Sequence, residues 1–306
     1  MNPAPHFFLA ALGGLLLSSP VPAQEKAATD APATIPVGKL AFVTSADFGR
    51  AGNIWIMTGS VRNMEPTHQT RDFAFAAGGK KIVYTANDPV ASGLYVHDLE
   101  QHASTRLLAA VANVGGPDLS PDGTRIAFYQ SGEESSQIMT AAVDGTDLRQ
   151  LTQENCFNWT PRWSPDGRRL LFETTRNELP GGGEGGGQRD IYVMDADGKN
   201  QTNLTPNSYG HSAAWSPDGK HIAYMKNGSI FIMNSDGSAK KDVSHGKVRD
   251  SEPAWSPDGQ WIAFTRTPKN SRAMDIWIMK SDGTGQRQIT FNEGMTASFS
   301  PQWSEE

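Results

Sequence analysis

The stretch Pro253-Ala254-Trp255-Ser256-Pro257-Asp258-Gly259 decides the fold, because its second half recurs along the chain. The sequence Ser-Pro-Asp-Gly begins at residues 120, 164, 216 and 256, so the intervals are 44, 52 and 40 residues. A weaker copy at the C-terminus keeps only the first part of the pattern, Pro301-Gln302-Trp303-Ser304. Self-similarity at a period of roughly 45 residues indicates an array of equivalent structural units.

Each unit contains four strand signals. After the Trp255 turn come Trp261-Ile262-Ala263-Phe264, Asp275-Ile276-Trp277-Ile278-Met279 and Gln288-Ile289-Thr290, and related segments recur in the other units. These runs are β-branched and aromatic, apolar on both faces, and bounded by turn residues. Four strands per repeat of this length predict an all-β fold made of antiparallel propeller blades.

The chain contains six such units once its two ends are combined. Leu40-Ala41-Phe42-Val43 and Ile54-Trp55-Ile56-Met57 are predicted second and third strands, but no first strand precedes them. The C-terminal Pro301-Gln302-Trp303-Ser304 is a first strand without followers. We therefore predict a six-bladed β-propeller over residues 35–306, closed by the C-terminal strand, which removes open sheet edges.

Composition agrees with this class. The 306 residues carry a net charge of −6, which disfavours nucleic acid as a partner. Gly (31) and Pro (19) are too frequent for a helical bundle. The single cysteine, Cys156, allows no disulfide within the chain.

The N-terminus has the pattern of an export signal. An apolar stretch over residues 7–17 is followed by Val21-Pro22-Ala23, which fits a signal-peptidase site. We expect a signal peptide over residues 1–23, a flexible segment over residues 24–34, and a periplasmic or secreted mature protein with no membrane span.

These repeats resemble the WD40-like repeats of the TolB-like family of six-bladed propellers, carried by Pro-x-Trp-Ser-Pro-Asp-Gly followed by Ile-Ala-Phe and Ile-Tyr-Val-Met-Asp. The resemblance covers about residues 35–306, without the N-terminal α/β domain that TolB has. It implies a cell-envelope scaffold that recognises another protein, as TolB-like propellers recognise a peptidoglycan-associated lipoprotein. Similar repeats also occur in propellers of peptidases and polysaccharide lyases.

The repeated motifs themselves are expected to be structural. Ser-Pro-Asp-Gly has the residues of a tight turn, with glycine supplying positive φ. The repeat tryptophans and methionines occupy equivalent positions and are expected in the core. No nucleophile elbow, zinc-protease motif or phosphate loop is present, and the seven histidines lack ligand spacing. We therefore expect no catalytic residue, no metal and no cofactor.

A binding site is expected where the connections vary. In four-stranded blades, the connections after strands two and four share one face, and here they differ in length and composition: residues 45–52, 153–160, 174–189, 206–212, 245–252 and 267–273. Functional residues concentrate on variable loops held by a rigid scaffold. The candidates are Arg71, Asp72, Asn158, Trp159, Arg176, Tyr209, His211, Arg249, Asp250 and Glu252.

The leading hypothesis is a monomeric, non-enzymatic scaffold that binds another envelope or secreted protein through this face. The alternative is a carbohydrate-binding propeller, or a lyase- or hydrolase-type enzyme, with its site at the channel mouth. A metal-dependent lyase would require clustered ligands there, for which Asp72, His211 and Glu252 are the available residues.

Overall fold

The chain forms six four-stranded antiparallel sheets arranged as the blades of a propeller. The computed structural model describes residues 34–46, 51–65, 67–75, 79–86, 92–108, 111–177, 189–206, 208–246, 248–269, 271, 273–293 and 296–304. None of these residues belongs to a helix that is long and apolar enough to cross a bilayer. The expected signal peptide (1–23) and glycine-rich segment (181–187) lie outside the described residues.

The blades are numbered from the N-terminus, and their strands are given from the innermost outward. Blade 1 contains β24 (Ala297–Ser304), β1 (Lys39–Ser45), β2 (Asn53–Thr58) and β3 (Val61–Met64). Blade 2 contains β4 (Thr70–Phe75), β5 (Lys81–Ala86), β6 (Gly93–Asp98) and β7 (Ala103–Leu107). Blade 3 contains β8 (Val114–Leu119), β9 (Arg125–Ser131), β10 (Ser136–Ala142) and β11 (Arg149–Gln150). Blade 4 contains β12 (Asn158–Trp163), β13 (Arg169–Thr174), β14 (Asp190–Asp195) and β15 (Thr202–Asn203). Blade 5 contains β16 (His211–Trp215), β17 (His221–Lys226), β18 (Ser229–Asn234) and β19 (Lys241–Asp242). Blade 6 contains β20 (Arg249–Trp255), β21 (Trp261–Thr267), β22 (Asp275–Lys280) and β23 (Arg287–Gln288).

The predicted closure is confirmed. Strand β24 pairs antiparallel with β1, from Lys39 opposite Ser304 to Ser45 opposite Ala297. The C-terminal strand thus becomes the innermost strand of the first blade, so the two ends of the chain share one sheet. Phe299 and Trp303 of β24 are 2% and 9% exposed and pack into the clusters on either side of blade 1.

The core lies between neighbouring blades, because both faces of each sheet are apolar. The second strand of every blade contributes one aromatic side chain that is at most 1% exposed: Phe42, Tyr84, Phe128, Phe172, Tyr224 and Phe264. The repeat methionines (Met57, Met194, Met233 and Met279) are also buried. The repeat tryptophans belong to or pack against the same interblade clusters, as the sequence predicted.

The Ser-Pro-Asp-Gly segments are hairpin turns, as expected. In all four, the serine hydroxyl donates to the aspartate Oδ1 at 2.6 Å, and the glycine φ lies between 67° and 69°. The residue after the glycine donates its amide to the same Oδ1 at 3.0 or 3.1 Å. These aspartates are therefore occupied in holding the first hairpin of each blade.

The outermost strands of blades 3, 4 and 6 are shorter than predicted. The sequence predicted strands over 150–152, 203–205 and 288–290, but the ladders end at Gln150, Asn203 and Gln288. Beyond these ends, a threonine hydroxyl accepts the amide of the third strand that a backbone carbonyl would accept in a longer ladder. Thr152 Oγ1 accepts from Ile138 N at 2.9 Å, and Thr205 and Thr290 accept equivalent amides at 2.8 and 2.9 Å.

The innermost strands begin earlier than predicted. The repeat pattern predicted that they begin near its prolines, after loops, but β12, β16 and β20 begin at Asn158, His211 and Arg249. The register shifts within every innermost strand, for example between Trp159 and Arg162, which marks a β-bulge. An extra residue breaks the two-residue periodicity of a strand, so the pattern resembles a loop.

Removal of the closing strand should destabilise the whole ring. We expect deletion of residues 298–306 to lower the urea midpoint strongly, because blade 1 then lacks its innermost strand and the inner edge of β1 is left unpaired. The matched point variants are F299A, with the side chain 2% exposed, and F291A, with 70% exposed. F299A should cost about 3–5 kcal/mol and F291A less than about 0.5 kcal/mol. An unchanged midpoint in the deletion variant would contradict closure by β24.

Candidate functional site at the channel mouth

The bulges direct side chains toward the central channel. Residues at the bulge have left-handed backbone in five innermost strands, with φ of 56° at Gly116, 47° at Thr160, 53° at Ser212, 54° at Glu252 and 51° at Ser300. Side chains from all six blades line a central cavity of about 240 Å³. Its charged residues are Asp72, Asp118, Arg162 and Glu252.

The channel carboxylates also bridge neighbouring blades. Glu252 Oε2 accepts from Ser300 N of blade 1 at 2.9 Å and from Thr265 Oγ1 at 2.8 Å. Asp118 Oδ2 accepts from Trp163 N of blade 4 at 2.7 Å, and the backbone amide of Gly116 in blade 3 favours the charged form of Asp72. Glu252 and Asp118 thus each accept from a backbone amide of the next blade, which satisfies that donor.

Burial controls the charge of these groups. It raises the pKa of Asp118 to about 6, although Arg162 and the amides of Trp163 and Leu119 favour the carboxylate. Burial likewise raises the pKa of Asp72, with the negative charge of Glu252 acting in the same direction. Arg162 donates to the carbonyl oxygens of Pro161 and Pro117 at 3.1 and 3.4 Å, which holds its charge near both aspartates.

The mouth of the channel carries a stack of aromatic and cationic side chains on blade 4. The rings of Phe157 and Trp159 are parallel within 6°, with centroids 5.4 Å apart. The Arg189 guanidinium lies 4.1 Å from the centroid of the Trp159 ring. Phe157 is 37% exposed, so the stack presents apolar area to solvent.

Glu173 connects this stack to blade 5. Its side chain is buried, yet it accepts from Arg189 Nη1 at 3.0 Å, Thr160 Oγ1 at 2.8 Å and Ser212 N at 2.7 Å. His211 Nδ1 lies 3.8 Å from Glu173 Oε2. Burial opposes the charged form, but His211, Arg189 and Ser212 outweigh it and lower the pKa of Glu173 to about 2. A fixed negative charge therefore anchors Arg189 and His211.

A surface cleft continues the mouth toward blade 6. Tyr209, His211 and Arg249 line this cleft, whose volume is about 550 Å³. Since His211 also faces Glu173, the stack and the cleft are continuous across blades 4, 5 and 6. We call this surface the mouth strip, and it consists of Phe157, Trp159, Arg189, Tyr209, His211 and Arg249.

The remaining predicted residues lie elsewhere. Asp72 and Glu252 line the central cavity, and Arg71 is exposed beside Asp72.

Three other predicted residues are held by internal contacts. Asn158 is fully buried and donates to Ser136 O at 2.9 Å. Asp250 is fully buried and accepts two hydrogen bonds from Arg266 at 2.7 and 2.9 Å. Arg176 pairs with Glu154 at 2.8 Å and lies over the Tyr192 ring.

Sequence reasoning missed five contributors to the mouth and channel, namely Phe157, Glu173, Arg189, Asp118 and Arg162. Glu173 leaves a signal, because it is a single carboxylate inside the apolar strand Leu170-Leu171-Phe172. Arg162 and Asp118 precede the Trp or Leu that ends an innermost strand, where other repeats have alanine or glutamine. A charge at that position indicates a side chain that faces the channel.

The three residues named for the lyase alternative do not line one cavity. Asp72 and Glu252 line the cavity, whereas His211 lies in the cleft beyond it. Among the described residues, a group with the composition and spacing of metal ligands occurs instead at Glu65, His97 and His102. These residues belong to the outer part of blades 1 and 2.

The fold defines a six-bladed propeller, and the mouth of its channel carries the candidate site. The sequence profile of the TolB beta propeller domain matches residues 72–228, which is 157 of the 306 residues. The chain belongs to this family.

Related proteins and a structure of the same fold are also found. An uncharacterised protein of Agrobacterium fabrum is 31% identical over 159 residues, which cover 48% of this chain and 52% of that protein. A Tol-Pal system protein TolB of an Anaeromyxobacter species is 32% identical over 180 residues, covering 59% and 29%. The structure of TolB from Acinetobacter baumannii superposes with a TM-score of 0.71 at 21% identity, covering 88% and 67%. The chain spans about half the length of the first relative and less of the second.

The raised pKa of Asp118 predicts a pH effect on stability. Because the pKa of Asp118 is higher in the folded than in the unfolded state, the folded state prefers the protonated carboxyl. The resulting stabilisation of the fold is fully present below about pH 4 and is lost as the pH rises through about 6. The shift from 3.8 to about 6 corresponds to roughly 3 kcal/mol, at about 1.4 kcal/mol per unit. Glu173 has the opposite effect at lower pH. Because its pKa is lowered in the folded state, its contribution to stability is present above about pH 4.5 and is lost as the pH falls toward 2.

Urea unfolding between pH 4 and 7 tests this effect. The Asp118→Asn variant keeps an acceptor for Trp163 N but does not titrate, so wild type should lose stability relative to D118N across this range. Exposed Glu134→Gln should leave the wild-type slope unchanged. Parallel curves for wild type and D118N would show that the carboxyl of Asp118 is not buried as described.

Proposed function

We propose that the chain is an exported, non-enzymatic scaffold that binds another protein of the cell envelope through the mouth strip. The continuity of the strip across three blades carries this proposal. Trp159, Tyr209 and the two arginines are the residue types that dominate the energetics of protein interfaces. The opposite face is built from near-identical Ser-Pro-Asp-Gly turns, which offer a partner little that is distinctive.

Part of the mouth strip is also preorganised for binding. Arg189 is fixed by Glu173 and by the Trp159 ring, so its guanidinium keeps one orientation. A side chain that is already ordered loses less entropy on binding. Arg249 is exposed at the start of β20, so its positive charge is accessible to a partner.

The family supports a proposal for the class of partner. A relative of this chain is a Tol-Pal system protein, and the resemblance to TolB-like propellers implies a peptidoglycan-associated lipoprotein as the partner. The same relationship and the signal-peptide pattern support the proposed exported, periplasmic location. We propose that this chain contacts the folded domain of such a lipoprotein with Trp159 and Arg249.

A carbohydrate-binding or lyase- or hydrolase-type function in the channel is the alternative. Asp118, whose pKa is raised to about 6, could donate a proton to a substrate in the cavity. However, the cavity of about 240 Å³ is smaller than ligand pockets of roughly 300–1,000 Å³. Its carboxylates are also engaged by backbone amides, so the observations favour the scaffold.

Substitutions on the two faces should separate binding from folding. R249A and W159A should each weaken binding of the genome's own peptidoglycan-associated lipoprotein domain by more than about 1 kcal/mol, or roughly fivefold. Titration calorimetry measures the affinity, and thermal melts confirm that the variants fold. R168A removes an exposed arginine from the opposite face and should leave the affinity unchanged.

A turn variant completes the design. D258A loses the hydrogen bonds from Ser256 and Gln260, so it should reduce stability and leave the affinity of the folded fraction unchanged. If R168A or D258A weakened binding as much as R249A, the partner would bind the turn face and the proposed surface would be wrong.

A further inference from the structure

Two histidines and one carboxylate meet where blade 1 joins blade 2. Glu65 Oε2 lies 3.3 Å from His97 Nε2 and 3.1 Å from His102 Nδ1. All three ligand atoms lie within 4.8 Å of one another. Glu65 is 7% exposed and His97 is fully buried, whereas the His102 side chain is 61% exposed.

Local structure fixes each of the three residues. Glu65 N donates to Ile54 O at 2.9 Å, which continues the ladder beyond β3 and sets the direction of the chain. His97 lies on β6, and His102 follows in the turn to β7 with a φ of 50°. Asp98 holds that turn by accepting from Glu100 N and Gln101 N at 2.9 and 3.0 Å.

We propose that Glu65, His97 and His102 form a zinc-binding site. Ligand atoms at about 2.0–2.1 Å from a tetrahedral zinc ion are roughly 3.3 Å apart, which matches the two short distances here. Two imidazoles and one carboxylate are a ligand set that zinc accepts, and nitrogen ligands disfavour calcium and magnesium. Three protein ligands leave a fourth position for water, and the exposed His102 gives the ion a path from solvent.

The surroundings of His97 suit a metal ligand. Its second ring nitrogen, Nδ1, lies 3.0 Å from Ser104 Oγ, which also accepts from the Tyr84 hydroxyl at 3.0 Å. When zinc takes Nε2, the proton resides on Nδ1, and the second lone pair of the Ser104 hydroxyl can accept it. Tyr84 OH is in turn 2.8 Å from His68 Nδ1, so a chain of hydrogen bonds orients the ligand.

The site would connect two blades. Glu65 directly follows β3 of blade 1, while both histidines belong to the β6–β7 hairpin of blade 2. The partners of the buried Glu65 carboxylate among the described side chains are these two imidazoles. A divalent cation would neutralise that carboxylate and tie the outer edge of blade 1 to blade 2, so zinc should raise the melting temperature.

The test uses the tag-free chain, stripped with a chelator that is then removed. Zinc binding is measured by competition with a chromogenic chelator of micromolar affinity, and melts are recorded with and without zinc. Wild type should bind one zinc ion per chain and melt at a higher temperature with zinc. Co²⁺ should give the visible absorption of a tetrahedral site, and Mg²⁺ should not compete.

Two histidine variants make a matched pair. His102 and His245 are both exposed and both left-handed, with φ of 50° at each, so H102A and H245A share the same backbone cost. H102A should lose the bound zinc and the melting shift, and H245A should keep both. Glu65→Gln should weaken binding at least tenfold. Equal zinc binding by wild type and H102A, or none by wild type, would overturn the proposal.

Discussion

The β-bulge in each innermost strand is the constraint on which the rest of this structure depends. An extra residue at the same place in all six strands bends them around the channel and leaves a backbone donor that its own sheet does not use. In two places a carboxylate of the preceding blade accepts the bulge amide: Glu173 with Ser212, and Glu252 with Ser300. A buried amide without such an acceptor would cost about 1–3 kcal/mol.

This constraint explains why charge gathers where the propeller is narrowest. Carboxylates that accept bulge amides must point into the channel or its mouth, so the same groups that hold the blades together also create its acidic interior. At blade 4, Glu173 goes further, because it orients Arg189 beneath Trp159 and faces His211. The binding surface proposed for this protein is thus an extension of the contacts that join blades 4 and 5.

The sequence predicted the fold well because the repeats encode it locally. The Ser-Pro-Asp-Gly turns and the aromatic second strands lie in patterns that can be read within about 45 residues, and the divided first blade follows from counting the strands of these repeats at both chain ends. The site was harder to predict, because its contacts join separate repeats. Glu173 meets Ser212 39 residues further on, and Glu252 meets Ser300 after 48. Because the bulges break the strand periodicity, strand residues such as Trp159 were predicted as loop. Glu65 contacts His97 only because two blades pack together.

Native-state hydrogen exchange of the bulge amides tests the central claim of interblade bridging most directly. The amides of Ser212 and Ser300 donate to carboxylates of the preceding blades, and Ser300 lies on the closing strand. If these bridges and the closure make the ring one cooperative unit, both amides should exchange only through global unfolding, with the same free energy as core amides of β1 and β13. Exchange of Ser300 by local opening, while the core amides stay protected, would contradict this account.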